Sequence, residues 1–227
     1  MGLPIAIAHR GDPVHHRENT LAAFEGAVAA GADMVELDLR VTRDGEIVVL
    51  HDPTLERLWG IDRPVAELDL VDLVQVGTGD MRIPTLAQVV KTIEVPLMVD
   101  FTTADVVEGA IEVVRAATAM DRSLFVTGNA DALRLLRVLA PESRIGLSWG
   151  ADAPVPLDLL DALKAEYWNP AFWLVTPERV DAAHQAGRRV STWTVDDEAE
   201  MHRVLDAGVD ALVSNEIARL RSVLEAR

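Results

Sequence analysis

The sequence has no cysteine. Disulfides, thiolate metal sites and cysteine nucleophiles are therefore excluded, and a reducing compartment suits such a chain. Positive charge is scarce: 21 Lys and Arg stand against 37 Asp and Glu, a formal net charge of −16. With no basic surplus to displace counterions from phosphates, nonspecific nucleic-acid binding is disfavoured, as is docking on an anionic lipid surface. An anionic ligand would need local help from a metal or a placed arginine, and the remaining acidic excess reads as solvated surface. Long apolar runs are missing, so no segment is expected to span a bilayer or to anchor the chain stably at a membrane. The opening MGLPIAIAHRGD lacks a basic start and carries too short an apolar run for a signal peptide. It reads as a first strand, and the cytoplasm is the expected location. No low-complexity tract, long linker or composition break divides the chain. No GxGxxG or P-loop follows any apolar run, which weakens nucleotide-binding readings.

What the sequence does have is an alternation. The 227 residues, 49% apolar, suffice for one large domain or two small ones. Short apolar runs at Ile5–His9, Met34–Asp38, Pro96–Phe101, Leu124–Thr127, Arg144–Ser148, Glu166–Trp168, Arg189–Thr194 and Ala211–Ser214 read as strands. Helical patterns lie between them, with start and stop residues. Asn19 is expected to cap a helix built on Leu21, Phe24 and Val28 that stops at Gly31. Thr85 opens Leu86–Ile93, and Thr176-Pro177 opens a helix ending at Gly187. Asp196 or Asp197 starts one ending at Gly208, and Asn215 is expected to cap the last. Eight strand–helix units in this length suit a closed α/β structure, a (β/α)8 TIM barrel, as one domain over residues 1–227.

One segment breaks the rhythm. Leu39–Arg43 and Glu46–Leu50 are β-prone runs joined by Asp44-Gly45, which predicts an antiparallel hairpin after the second strand. The chain climbs past Glu36 and Asp38, turns, and returns His51-Asp52 to the same height, which in a barrel is the C-terminal rim. Residues 54–82 read as a small ordered insertion before the third strand.

The chemistry-bearing residues gather at strand ends. The first strand ends in His9-Arg10-Gly11, and the second carries Glu36 and Asp38, two apart and hence on one face. The third ends at Asp100, and strands one, two and three are neighbours in a barrel. Carboxylates so placed can share a hard cation. A cation and an arginine neutralise a phosphodiester, and two imidazoles, His9 and His51, can serve as base and acid on its entering and leaving oxygens.

The string His9-Arg10-Gly11, Glu18-Asn19-Thr20, Glu36-Leu37-Asp38, Asp44-Gly45 and His51-Asp52 resembles, in order and spacing, the signature of the glycerophosphodiester phosphodiesterases. The resemblance continues at Leu55-Glu56-Arg57, Ile83-Pro84-Thr85-Leu86, Trp193-Thr194-Val195 and Gly208-Val209-Asp210. It implies metal-dependent hydrolysis of glycerophosphodiesters to glycerol 3-phosphate and an alcohol, the diester being the small-molecule partner. By position, it implies His9 and His51 as the acid/base pair and Arg10 as the phosphate ligand. Glu36 and Asp38, with Asp100, would hold one divalent cation, Ca2+ or Mg2+. Asn19 would lie near metal and phosphate, Glu18 would support that loop, and Trp193 would line the pocket.

The chain departs from the family pattern in two places. Where the family has Glu-x-Lys at the third strand's end, this chain reads Asp100-Phe101-Thr102, so one positive anchor is missing. Where it has Thr-Asp-x-Pro near the C-terminus, this chain reads Ser214-Asn215-Glu216-Ile217. Two alternatives therefore stand beside the hydrolase: a phospholipase D-like enzyme on the same barrel, and a catalytically weakened phosphodiester- or metal-binding protein. His15 and His16 read as exposed loop, and His184 and His202 as surface of outer helices. Trp59, Trp168 and Trp173 read as packing residues, and Trp149, at a strand end, is a pocket candidate. Both monomer and homodimer fit.

Overall fold

The computed structural model describes residues 3–227. Its strands in chain order are β1 (Ile5–Ala8), β2 (Met34–Val41), β3 (Ile47–Val49), β4 (Thr54–Leu55), β5 (Ile61–Pro64), β6 (Leu97–Asp100), β7 (Ser123–Thr127), β8 (Arg144–Trp149), β9 (Tyr167–Pro170), β10 (Arg189–Thr192) and β11 (Ala211–Ser214). Eight of them, β1, β2 and β6 to β11, pair parallel with their neighbours, and β1 pairs with both β2 and β11. That double pairing closes the sheet into a barrel, so the (β/α)8 expectation holds.

Alternation along each strand builds two cores. Ile7, Met34, Met98, Leu124, Val126, Tyr167, Ala211 and Val213 fill the barrel interior. Their strand neighbours, among them Ala6, Ala8, Val35, Leu37, Leu97, Val99 and Leu212, face the helices. The helices are α1 (Leu21–Ala29), α2 (Glu56–Trp59), α3 (Leu70–Leu73), α4 (Leu86–Thr92), α5 (Val107–Ala116), α6 (Ala130–Leu139), α7 (Leu157–Leu163), α8 (Pro177–Gln185), α9 (Glu198–Asp206) and α10 (Ile217–Glu225). Thr85 with Gln88 forms a capping box on α4, Thr176 caps α8 ahead of Pro177, and Asp197 caps α9.

Two expected caps are corrected. Thr20, not Asn19, caps α1, its Oγ1 accepting from the Ala23 N–H. The start of α10 falls at Glu216 without a side-chain cap bond, and Asn215 points elsewhere. Both asparagines bond elsewhere, Asn19 to Asp38 of β2 and Asn215 to His9 and Asp196.

β2 does not stop at Asp38. It runs on to Val41 and turns back through β3, with Leu39 opposite Val49, Arg40 opposite Val48 and Val41 opposite Ile47. The turn at Asp44-Gly45 is pinned from outside: Arg43 pairs with Asp69, and the Asp44 carboxylate accepts from the Thr42 hydroxyl and the Leu70 N–H. The insertion that follows holds the antiparallel pair β4–β5 and packs Leu55, Val65, Leu68, Leu73 and Ile83 beneath Val48 and Leu50 of the hairpin.

Gly11 shows how tightly the first rim loop is drawn. Its φ is +86°, and an added Cβ would lie 2.6 Å from the Ala23 carbonyl carbon and 2.8 Å from its Cβ. Gly187 shares the left-handed backbone, φ +72°, with open space around it. Gly11→Ala is expected to lower stability by roughly 2–4 kcal/mol, combining strain with a backbone clash. Gly187→Ala should cost only about 1 kcal/mol. Urea unfolding of both variants checks this, and equal losses would contradict it.

Candidate active site

The C-terminal rim carries the charged residues because the inward face of β2 becomes polar above Met34. Glu36 stands opposite Met98 of β6, and Asp38 stands opposite Asp100. The register therefore sets two carboxylates side by side with a third one step below. Glu36 is 4% exposed. Burial, then the charges of Asp38 and Asp100, raise its pKa well above the usual carboxylate range. Burial and Asp38 likewise push Asp100 up to about 7.

Arg10 answers this charge. Its backbone N–H donates to Glu36 Oε2 at 2.9 Å, and its guanidinium donates to Glu18 Oε1 at 2.9 Å. Its Nε lies 3.2 Å from Asp38 Oδ2, yet that buried N–H is not aimed at the oxygen and has no hydrogen-bond partner among the described residues. Reaching all three acids requires a left-handed backbone at Arg10, φ 57°. Asn19, also left-handed at φ 58°, is almost fully buried behind Asp38, donating to Oδ2 at 2.8 Å and accepting from its N–H at 3.3 Å. Asn19 and Glu18 thus stand behind the site and do not line its cavity.

The two histidines are held in different ways. His9 Nδ1 meets Asn215 Oδ1 at 2.8 Å, and the Asn215 amide in turn donates to Asp196 Oδ2 at 2.8 Å. With Nδ1 donating to an amide oxygen, Nε2 is left as the acceptor, 4.0 Å from Glu36 Oε2. Burial and the adjacent Arg10 charge lower the His9 pKa, outweighing the Asn215 bond and nearby carboxylates. His51 Nδ1 meets the Asp52 carboxylate at 2.6 Å. Hydrogen bonds from Arg57, joined by His51, hold Asp52 down at about 2 against the opposing effect of burial. Arg57 also grips Glu18 at 2.6 Å, so His51, Asp52, Arg57, Glu18 and Arg10 form one connected chain of contacts. The motif residue Arg57 has its explanation there.

These groups border one cavity of about 390 Å³. His9, Arg10, Glu36, Asp38, His51, Asp100 and Thr102 form one wall; Ser148, Trp149, Asn169 and Trp193 form the other. Trp193 lines it as expected, its indole N–H donating to the Asn169 carbonyl at 2.9 Å, and so does Trp149. Outside, Trp173 stands 60% exposed with its ring edge-on to Trp193 at 6.3 Å. Trp168 is fully buried core, and Trp59 lies under Arg17. His15 is exposed on Asp12, while His184 and His202 sit outside the barrel against Asp210 and Glu198.

The sequence reading gave no site role to Asn169, Asn215, Asp52 or Arg40. Alternation on β2, which puts 36, 38 and 40 on one face, was the available signal for Arg40. Its guanidinium binds the His51 carbonyl, Nε at 3.0 Å, and donates to Thr102 Oγ1 at 2.8 Å. The third strand's end, expected to lack a positive anchor, therefore has an arginine standing on its threonine.

Among the described residues no three His, Asp or Glu side chains are arranged to hold an ion in common. Glu36 and Asp38 are turned onto Arg10 and Asn19. The donor set nevertheless suits a hard divalent cation: Glu36, Asp38 and Asp100 are oxygen donors on one inward face, Glu36 buried and the other two partly so, with more negative charge than Arg10 offsets.

A closed parallel barrel with two imidazoles, an arginine and three carboxylates on its C-terminal rim has the layout of a barrel enzyme acting on an anionic substrate. The comparisons make this particular. The profile of the glycerophosphoryl diester phosphodiesterase family matches residues 9–219. A glycerophosphodiester phosphodiesterase of Caldanaerobacter subterraneus is 29% identical over 93% of this chain and 94% of its own length. The structure of an Oleispira antarctica phosphodiesterase in complex with the product sn-glycerol-3-phosphate superposes with a TM-score of 0.92 at 26% identity, covering 98% of this chain and 97% of that one. A glycerophosphodiester phosphodiesterase of Thermotoga maritima shares the fold, with a TM-score of 0.84 at 20% identity over 98% and 99% of the two chains. The chain belongs to the glycerophosphoryl diester phosphodiesterase family.

The crowded carboxylates give a pH signature. A carboxyl raised to about 7 in the folded state favours folding fully below its ordinary value of 3.8, and that contribution is lost as pH rises through about 7. Metal-free protein should therefore melt lower at about pH 8 than the other titrating groups alone would dictate, relative to about pH 5. Asp100→Asn should flatten that fall. An unchanged slope in thermal melts of the variant would contradict the assignment.

Proposed function

We propose that this chain hydrolyses glycerophosphodiesters to glycerol 3-phosphate and the free alcohol, as one catalytic domain over residues 1–227. The observation that carries the reading is the convergence of His9, His51, Arg10 and the three carboxylates on a single cavity. The product bound to the Oleispira antarctica relative supports the substrate class. The long family match supports the reaction.

Glu36, Asp38 and Asp100 would hold one divalent cation, Ca2+ or Mg2+. When bound, it supplies positive charge against the phosphoryl oxygens. Arg10, which borders the cavity, binds a non-bridging oxygen through its guanidinium. His9, kept neutral by its buried setting, takes a proton from the attacking water at Nε2. His51 gives a proton through Nε2 to the departing alkoxide, with Asp52 orienting the ring. The phosphorus–oxygen bond to the alcohol breaks as the bond to the entering oxygen forms, and charge and protons balance. No helix among the described residues is long and apolar enough to cross a membrane. A small soluble diester handled in the cytoplasm, by a monomer or homodimer, fits that and the acidic surface.

Purified protein given glycerophosphocholine or glycerophosphoethanolamine is expected to release glycerol 3-phosphate with Ca2+ or Mg2+ and none with EDTA. His9→Ala or His51→Ala should each lower kcat by about 10²–10⁴-fold, the usual worth of a positioned acid or base. A folded wild-type protein that yields no glycerol 3-phosphate with either metal would overturn the reading. Release of choline and a lysophosphatidic acid from lysophosphatidylcholine, with no turnover of glycerophosphocholine, would point to the phospholipase D-like alternative.

A further inference from the structure

The wall of the cavity formed by β2, β3 and the end of β6 contains a pair that the proposed chemistry has not used. Arg40 is the next inward residue of β2 after Asp38. The hairpin carries the chain out and back so that the His51 carbonyl returns within reach of its guanidinium. Nε donates to that carbonyl at 3.0 Å, Nη2 donates to the same oxygen, and Nη1 donates to Thr102 Oγ1 at 2.8 Å. Arg40 does not itself border the cavity, whereas His51 and Thr102 both do. One planar cation therefore stands behind two cavity residues that come from different parts of the chain.

The Thr102 hydroxyl has one proton to give. Its oxygen already accepts from Arg40, and among the described residues the hydroxyl donates to nothing. A hydroxyl whose oxygen accepts from a guanidinium is a better donor through its own hydrogen, because each bond polarises the next. The acceptor it suits is an anion, and the wall it stands on also carries Arg10 and His51. We infer that Thr102 is a phosphate-binding residue of this site, donating its hydroxyl hydrogen to a non-bridging phosphoryl oxygen, and that Arg40 is the positioning residue that polarises it while fixing the height of His51. The inference rests on the phosphodiester reading above.

The two residues have separable effects. Removing the hydroxyl takes away one donor to the anion and leaves His51 in place. Removing the guanidinium weakens that donor and also frees the segment that carries the imidazole. Lysine at 40 keeps the charge but lacks the fork that reaches the carbonyl and the hydroxyl together.

The experiment combines turnover of glycerophosphocholine with calorimetric titration of glycerol 3-phosphate, in Thr102→Val, Thr102→Ser, Arg40→Met, Arg40→Lys and the Arg40→Met/Thr102→Val double variant. Thr102→Val should weaken glycerol 3-phosphate binding and lower kcat/KM by about tenfold or more, the worth of one hydrogen bond to a charged group. Thr102→Ser should restore both, which a packing role for the threonine side chain would not predict. Arg40→Met should cost binding similarly and lower kcat further, and Arg40→Lys should recover only part. The double variant should lose less than the two single losses combined, since either change removes the polarised donor. Wild-type binding and turnover retained in Thr102→Val, or strictly multiplicative losses in the double variant, would overturn the inference. Absence of turnover in the wild type would sink the proposed reaction alone; the titrations would still decide whether Thr102 and Arg40 hold the phosphate. Thr102→Val carries the test even if Arg40→Met fails to fold, since its side chain is isosteric and stands at an exposed position.

Discussion

The pairing of β2 with β6 places Asp38 beside Asp100, with Glu36 one step below on the same inward face. Like charges held at that spacing and largely removed from water repel one another, and the rest of the rim is arranged around that repulsion. Arg10 is the main internal answer. To bring one backbone N–H and one guanidinium onto Glu36, Glu18 and Asp38, the chain leaves β1 through a left-handed residue and a glycine that backs directly onto α1. Asn19 then fills the back of the cluster and cannot cap α1, so Thr20 does. The left-handed backbone at Arg10 and Asn19 is unfavourable by itself. Together these local choices hold three acids at one spot, where a divalent cation would relieve what Arg10 leaves unbalanced.

The second constraint is that a parallel barrel offers only strand ends at its active face. β1, β2 and β6 supply His9, Asp38 and Asp100 directly. A second imidazole on the same wall needs another chain segment, and the hairpin provides it. β3 descends antiparallel to the upper half of β2, and the chain leaves it at His51, beside Arg40. The insertion after the hairpin packs its own apolar cluster under Val48 and Leu50 and returns Arg57 to Asp52 and Glu18. It therefore closes a loop of ion pairs that begins at Arg10 and ends at His51. The elements that look like ornaments on the barrel are what position the second histidine.

Sequence was enough for the architecture and for the residues that carry strong local signals. Alternating apolar runs gave the barrel strands, Asp44-Gly45 gave the hairpin, and spacing of two gave Glu36 and Asp38 as a pair. Asn215 was missed because asparagine ahead of a helix is an ordinary cap, and nothing local shows that its partner is His9, 206 residues away. Asn169 was missed because β9 is short and its end is a buried Asn-Pro, not an apolar run. Arg40 was hidden for a different reason. It was read only as part of the hairpin, whereas the continuation of β2 keeps it on the same face as Glu36 and Asp38. Long-range polar partners are the information that periodicity does not carry.

The cavity is not symmetric, and the asymmetry constrains what can lie in it. The wall from β1, β2, β3 and β6 holds the imidazoles, the arginine, the carboxylates and the Thr102 hydroxyl. The opposite wall, from β8 to β10, presents Trp149, Trp193 and the amide of Asn169, the last held by Ser148 and Ser191. Those amide bonds are satisfied internally, so that wall offers apolar ring surface more than open donors. An aromatic face buries carbon and attracts cations, but it does nothing for phosphate oxygens. A ligand with a charged phosphoryl centre and carbon-bearing ends therefore has a preferred orientation: phosphorus toward Arg10 and the carboxylate cluster, carbon toward the indoles. Trp173, exposed and edge-on to Trp193, extends the same apolar surface beyond the mouth. In the proposed reaction the charged wall would set where the bond is broken, and the aromatic wall would receive the carbon-bearing group carried there.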